Sequence, residues 1–124
     1  MGEVVVELTL TNGLDPSRSC TVAALADTGA MLSSVPLDVA RALGLPSGRQ
    51  ALVRLADGNT QPVGIAYGVL FEIDGRVTSD DALLFGHQVL IGQTVLEKLH
   101  LMVDCAGRRL VPDPEQPDYP IYRV

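Results

Sequence analysis

The chain has 124 residues, of which 47% are apolar and 19% charged, and its formal net charge is −6. This length holds one hydrophobic core but not two, and the composition is not that of a disordered tail. The acidic balance argues against nucleic acid or an anionic membrane as a partner, because phosphate binding needs clustered Lys and Arg. No apolar run approaches the roughly 20 residues of a membrane-spanning helix.

Trp is absent, and the aromatic residues are Phe71, Phe85, Tyr67, Tyr119 and Tyr122. Core volume must therefore come from Val, Leu, Ile and Ala. Val-rich stretches broken by Gly and Asp-Gly turns predict a mostly β fold with one or two short helices. The N-terminus lacks the basic start and cleavage site of a secretory signal. Met1-Gly2 matches the start of a myristoylation motif, but the residues up to Leu8 do not complete it. Cys20 and Cys105 form no Cys-x-x-Cys and are expected to be free, buried thiols in a reducing cytoplasm, with a disulfide between them the alternative. A cytoplasmic protein, or a domain of a larger one, is the resulting expectation.

Glu3 to Thr11 alternates as a strand, with Val4, Val6, Leu8 and Leu10 on one face. Asn12-Gly13 and Asp15-Pro16 mark a turn, and Cys20 to Ala26 reads as the returning strand, ending at Asp27. Leu32 to Val35 is a short apolar strand. Pro36 opens a helix whose Val39, Ala40, Leu43 and Leu45 share a face, and Gly44 and Pro46 end it. Ala51 to Leu55 is a strand, and Asp57-Gly58-Asn59 is the clearest hairpin signal in the chain. Thr60 to Ile73 returns as a long strand, interrupted by Pro62, Gly64 and Gly68. Asp74-Gly75 turns the chain, and Arg76 to Phe85 runs back.

Val89 to Gly92 is an apolar strand ending in Gly. Thr94 is placed to cap a helix over Val95 to His100, with Glu97 completing a capping box. Leu101 to Asp104 and Arg109 to Val111 form a last hairpin. The domain is read as residues 1–111. Residues 112–124 form a tail carrying Pro112, Pro114, Pro117 and Pro120, which no central strand tolerates, and which reads as a linker, an arm or a disordered end.

Asp27 stands out because a carboxylate directly after an apolar strand is costly to bury. It is held at an exposed strand end or it has a chemical task. Asp-Thr-Gly alone is weak, since the same tripeptide makes an ordinary strand-end turn with Asp bonding its own backbone. The context is more specific. The tripeptide joins two apolar strands, a hairpin with an Asp-Gly tip follows about thirty residues on, and Val89-Leu90-Ile91-Gly92 leads straight into a short helix.

These elements, in this order, resemble the single-domain, retropepsin-like aspartic proteases over about residues 3–112. The carrying segments are Ala24 to Ala30, the hairpin 53–71 and Val89 to Leu99. The resemblance implies a closed β-barrel and an aspartic endopeptidase without metal or cofactor. It implies Asp27 as the catalytic residue, framed by Thr28, Gly29, Ala30 and Gly92. Ala56, Asp57, Gly58 and Asn59 would form the tip of a substrate-covering flap. Two carboxylates in contact share one proton, so one acts as base toward a water and the other as acid toward the peptide carbonyl. The chain holds one Asp-Thr-Gly, and the mechanism needs two, so the implied enzyme is a homodimer with peptide or protein substrates.

Viral members usually carry an Asp and an Arg, ion-paired near the dimer interface, where this chain has Met31 and Gln93. Both partners are missing together, so no charge is left orphaned. The alternative to the enzyme is a catalytically silent dimerisation or peptide-binding module on the same fold. A monomeric barrel domain is a third reading. His87 and His100 lack metal-ligand spacing, Asp80-Asp81 reads as a solvated loop, and Ser33-Ser34 has no His near it in sequence.

Overall fold

The computed structural model describes residues 3–124, so the Met1-Gly2 motif lies outside the described residues. Strands β1 (Val5–Asn12) and β2 (Ser19–Ala26) form an antiparallel pair in the register Val5↔Leu25 to Thr11↔Ser19. The period-2 pattern decides which side faces in: Val4, Leu8 and Leu10 are buried, while Val5 and Glu7 are exposed. β3 (Ser33–Val35) is followed by α1 (Leu37–Leu43), which ends at Gly44 in the left-handed conformation. Asn12 does more than turn the chain. Its side-chain amide donates to Leu43 O (3.0 Å) and Gly44 O (3.1 Å), satisfying carbonyls at the end of α1.

β4 (Ser47–Arg54) and β5 (Thr60–Ile73) form a long hairpin. β4 starts four residues before the expected Ala51. Ser47-Gly48 reads as a turn in sequence, but the strand continues through an irregularity between Ser47 and Arg49. β5 serves two structures. Val69 to Glu72 pairs with β1, whereas Thr60 to Gly64 pairs with β4 alone, so the hairpin's outer half projects as a two-stranded ribbon. The change falls at Gly68, whose φ of +63° marks an irregular register and whose carbonyl accepts the Gly13 N–H at 2.9 Å.

β6 (Arg76–Leu84), β7 (Val89–Ile91), α2 (Gln93–Leu99), β8 (Leu101–Asp104) and β9 (Arg109–Pro112) complete the chain. The main sheet runs β1-β2-β7-β3-β6-β5-β4, and the β1–β5 pairing closes six of these strands into a barrel with β4 outside. Phe71, Leu8, Leu10, Ile91, Val35 and Val69 fill it, and Val95, Leu96 and Leu99 of α2 join the same core. β8 and β9 make a separate two-stranded ribbon.

Four local expectations change. Thr94 does not cap α2: the helix starts at Gln93 behind Gly92, without a side-chain cap. The Thr94 hydroxyl instead donates to Asp80 Oδ2 at 2.5 Å, because Asp80 sits half-buried in β6 and not in a solvated loop. Cys105 is exposed, while Cys20 is half-buried and its burial pushes the thiol pKa up. The tail, expected as a linker, an arm or a disordered end, packs on the fold. Residues 113–124 fold back on the end of α2, where Asp113 N–H donates to His100 O at 3.0 Å.

Candidate active site

β7 is three residues long and lies between the strand that enters the Asp27 loop and the strand that leaves it. It runs parallel to β2, with Ala24, Leu25 and Ala26 level with Val89, Leu90 and Ile91. On its other edge it meets β3 antiparallel at Ser34↔Leu90. The loop backbone is therefore bonded on both sides. Ala26 N–H donates to Val4 O (2.8 Å) and Asp27 N–H to Ile91 O (2.9 Å). Beyond the turn, Gln93 N–H donates to Ala30 O (2.8 Å) and Thr94 N–H to Met31 O (3.1 Å).

Within this frame the Gly29 N–H donates to Asp27 Oδ1 at 2.9 Å, and Ala30 N–H to Asp27 O at 3.2 Å. Asp27 is half-buried and Thr28 and Gly29 are exposed. The carboxylate thus sits at an open strand end with one oxygen held by the backbone. Among the described residues no donor reaches Oδ2, which leaves that oxygen open to a donor from outside the chain.

Gly92 controls how closely β7 passes. A Cβ there would lie 2.4 Å from the Leu32 carbonyl carbon and 2.6 Å from Ser33 N. Its φ is −84°, so the requirement is space and not a left-handed backbone. The Gly92 N–H donates to Ser33 Oγ at 2.8 Å, and Ser33 is fully buried. Ser33 is therefore a supporting residue that sequence reading weighed only as a nucleophile. The signal was available: a hydroxyl inside an apolar strand needs a buried partner. Asp80 and Thr94 were missed in the same way. Their bond, with the Lys98–Asp80 ion pair at 3.3 Å, fixes the start of α2 on β6.

A hollow of about 320 Å³ opens between Thr28, Gly29 and Met31 of the loop and Gln93, Thr94 and Glu97 of α2. Met31 and Gln93, 62 positions apart by their numbers in the chain, line it together. Gln93 Nε2 donates to Glu97 Oε1 at 3.1 Å.

The hairpin tip, Ala56 to Asn59, is exposed and closed on itself. Leu55 N–H donates to Asn59 O and Gly58 N–H to Leu55 O. Asp57 accepts from Asn59 N–H (2.9 Å) and Asn59 Nδ2 (3.1 Å), and Arg54 donates to Gly58 O (3.0 Å). Among the described residues no hydrogen bond joins the tip to the Asp27 loop.

No protein-family model and no curated protein matches the sequence. Solved structures do. The EIAV protease, a retroviral enzyme solved in complex with the inhibitor HBY-793, superposes with a TM-score of 0.59 at 17% identity. The match covers 77% of this chain and 86% of that one. The barrel is the retropepsin-like fold. At this identity the likeness concerns the path of the backbone. In this retropepsin-like barrel, the Asp27 loop, Gly92 and the hairpin tip take their positions from the strand wiring described above.

Proposed function

We propose that the chain is an aspartic endopeptidase that acts as a homodimer. The observation that carries this reading is the Asp27 loop: a lone carboxylate on a backbone-bonded turn, one oxygen held by Gly29 N–H, on the fold of a retroviral protease. Asp27 of each copy supplies half of a dyad on the two-fold axis. With one proton shared, one carboxylate takes a proton from water and the other gives one to the peptide carbonyl oxygen. Thr28 bonds across the axis to hold the two loops level. Gly29 and Ala30 frame the carboxylate, and Gly92 admits the strand behind it. The hairpin tips, Ala56 to Asn59, close over a peptide and exclude water. Residues 1–111 form the protease domain and 112–124 its tail.

Met31 and Gln93, where viral members carry an ion pair, are the observation that favours the second reading, a silent dimerisation or peptide-binding module. One experiment separates the two. Wild type and Asp27→Asn are incubated with a denatured protein at mildly acidic pH, and the products are read by mass spectrometry. The expected result is cleavage that drops by roughly 10²–10⁴-fold in the variant, while sedimentation shows the dimer intact. Equal cleavage by both proteins removes the enzyme reading. A dimer that binds peptides without cutting them supports the module.

A further inference from the structure

The strand register places a second carboxylate next to Asp27. Val5 pairs with Leu25, and the Ala26 N–H bond to Val4 O, at 2.8 Å, extends the antiparallel pairing to Val4↔Ala26. The next residues to stand opposite each other are Glu3 and Asp27. Opposite residues of an antiparallel pair point their side chains to one face, with Cβ atoms about 4.5–5.5 Å apart. Val4, Leu8 and Leu10 face the core, so Glu3 and Asp27 belong to the other face, where Val5, 46% exposed, lies opposite Leu25. Leu90 of β7 is level with Leu25 and shares that face. Leu25 and Leu90 are half-buried, and Glu3 is exposed. Asp27 therefore stands on an apolar wall of Val5, Leu25 and Leu90, with Glu3 closing it on the β1 side.

Like charges directly opposite across a strand pair repel. Among the described residues neither Glu3 nor Asp27 takes part in an ion pair: the pairs are Lys98–Asp80 and Arg109–Asp104. The α2 side of the loop is acidic as well. Glu97 lines the hollow with Thr28 and Gly29, and only its Oε1 is taken, by Gln93 Nε2 at 3.1 Å. The chain as a whole carries −6, which favours the approach of a positive group. The charge that would balance Glu3 and Asp27 has to come from the substrate.

An apolar wall that ends in a carboxylate matches one kind of side chain. Lys and Arg lay their methylene stems along apolar surface and keep the charged head at its polar end. A Leu or Phe side chain covers Val5, Leu25 and Leu90 but leaves the two carboxylates facing each other. An acidic side chain adds a third like charge. Resting on the endopeptidase reading above, we propose that Glu3 is a specificity-determining residue and that the substrate is a basic peptide segment. A Lys or Arg close to the bond that is cut lies along the wall and pairs with Glu3.

The test gives the full chain a pool of denatured proteins at mildly acidic pH, and mass spectrometry reads the cleavage sites. Lys and Arg are expected to be enriched beside the bonds cut. Two synthetic peptides of otherwise equal sequence then carry either Lys or Met at the same position. Wild type is expected to favour the Lys peptide in kcat/KM, and Glu3→Gln to lower the Lys-to-Met ratio roughly tenfold. Glu3→Lys is expected to turn the preference toward a peptide with Glu at that position. Glu115→Gln removes the same charge from the exposed tail and keeps the wild-type ratio, which separates a local contact from the overall charge. Thermal melts accompany each variant. Cleavage without basic enrichment, or enrichment that survives in Glu3→Gln, overturns the inference and leaves the protease standing. If wild type cuts nothing, the protease reading falls, and fluorescence anisotropy of the same two peptides supplies the readout. Tighter binding of the Lys peptide that is lost in Glu3→Gln upholds Glu3 as the selector of basic peptides. Equal binding of the two peptides by wild type overturns it.

Discussion

Asp27 and Asp57 are held by the same short bond. In each case Oδ1 accepts the backbone N–H two residues on, at 2.9 Å. The surroundings differ. The Asp27 turn is bonded to β7 and α2, and Gly92 and Ser33 close it from behind. The Asp57 turn ends a ribbon whose tip bonds are all internal. Local turn chemistry therefore sets the shape of both loops, but only packing against neighbouring strands fixes one of them in the barrel. Under the proposed function, a carboxylate that must meet its twin needs the fixed kind of loop, and a cover that must admit a peptide needs the free kind.

The sharpest way to break this contrast is to add one methyl group to each loop. Gly92→Ala drives a Cβ into the Leu32–Ser33 backbone, which cannot rotate away, and is expected to cost about 3 kcal/mol or more. Gly58→Ala meets nothing within 4 Å and suffers only from its φ of +88°, at about 1 kcal/mol. Urea unfolding of the two variants measures the difference. Equal losses would mean that the two turns are supported alike.

Removing a side-chain partner is the next test. Ser33→Ala leaves the buried Gly92 N–H without an acceptor and is expected to cost about 1–3 kcal/mol. Asp57→Ala removes bonds that water replaces, and its cost should stay within about 0.5 kcal/mol. Under the proposed function, Asp57→Ala raises KM for a peptide with little change in kcat, because it loosens the cover and not the dyad. A kcat that falls as far as kcat/KM would place the tip in the chemistry itself.

The same contrast explains what was legible in the sequence. The strand faces were readable because Val4, Leu8 and Leu10 alternate with residues that face water, whereas the closed barrel was an implication of the family resemblance, since its order β1-β2-β7-β3-β6-β5-β4 joins strands far apart in sequence. Asp27-Thr28-Gly29 gave the turn, and Gly92 after an apolar run gave the strand behind it. Interactions between distant elements were not readable. Thr94 scored as a helix cap from its local pattern, yet its hydroxyl is taken by Asp80, 14 positions away. Arg76 was readable as the start of a strand, which it is, but not as the anchor of a tail 40 positions on. Polar residues bound across the fold leave no periodic trace, and a proline-rich tail reads as unstructured unless its anchor is known.

The third Asp turn gives the smallest effect and has a defined pH signature. In the β8–β9 turn Asp104 Oδ1 accepts the Gly107 N–H at 3.0 Å, and Arg109 Nε reaches Oδ2 at 3.1 Å. The Gly107 bond first, and then Arg109, hold the Asp104 carboxyl below the usual carboxylate range. A carboxyl whose pKa is lower folded than unfolded stabilises the fold above its unfolded pKa, and that contribution disappears as pH falls through the folded value. Wild type should therefore melt slightly above Asp104→Asn near neutrality, with the gap closing only on the acid side of the ordinary Asp range. The turn is solvent-exposed, so salt should narrow the gap by screening Arg109 while leaving the Gly107 bond in place. A gap that does not change with pH would show that the ionised carboxylate contributes nothing and that the turn is held by its backbone alone.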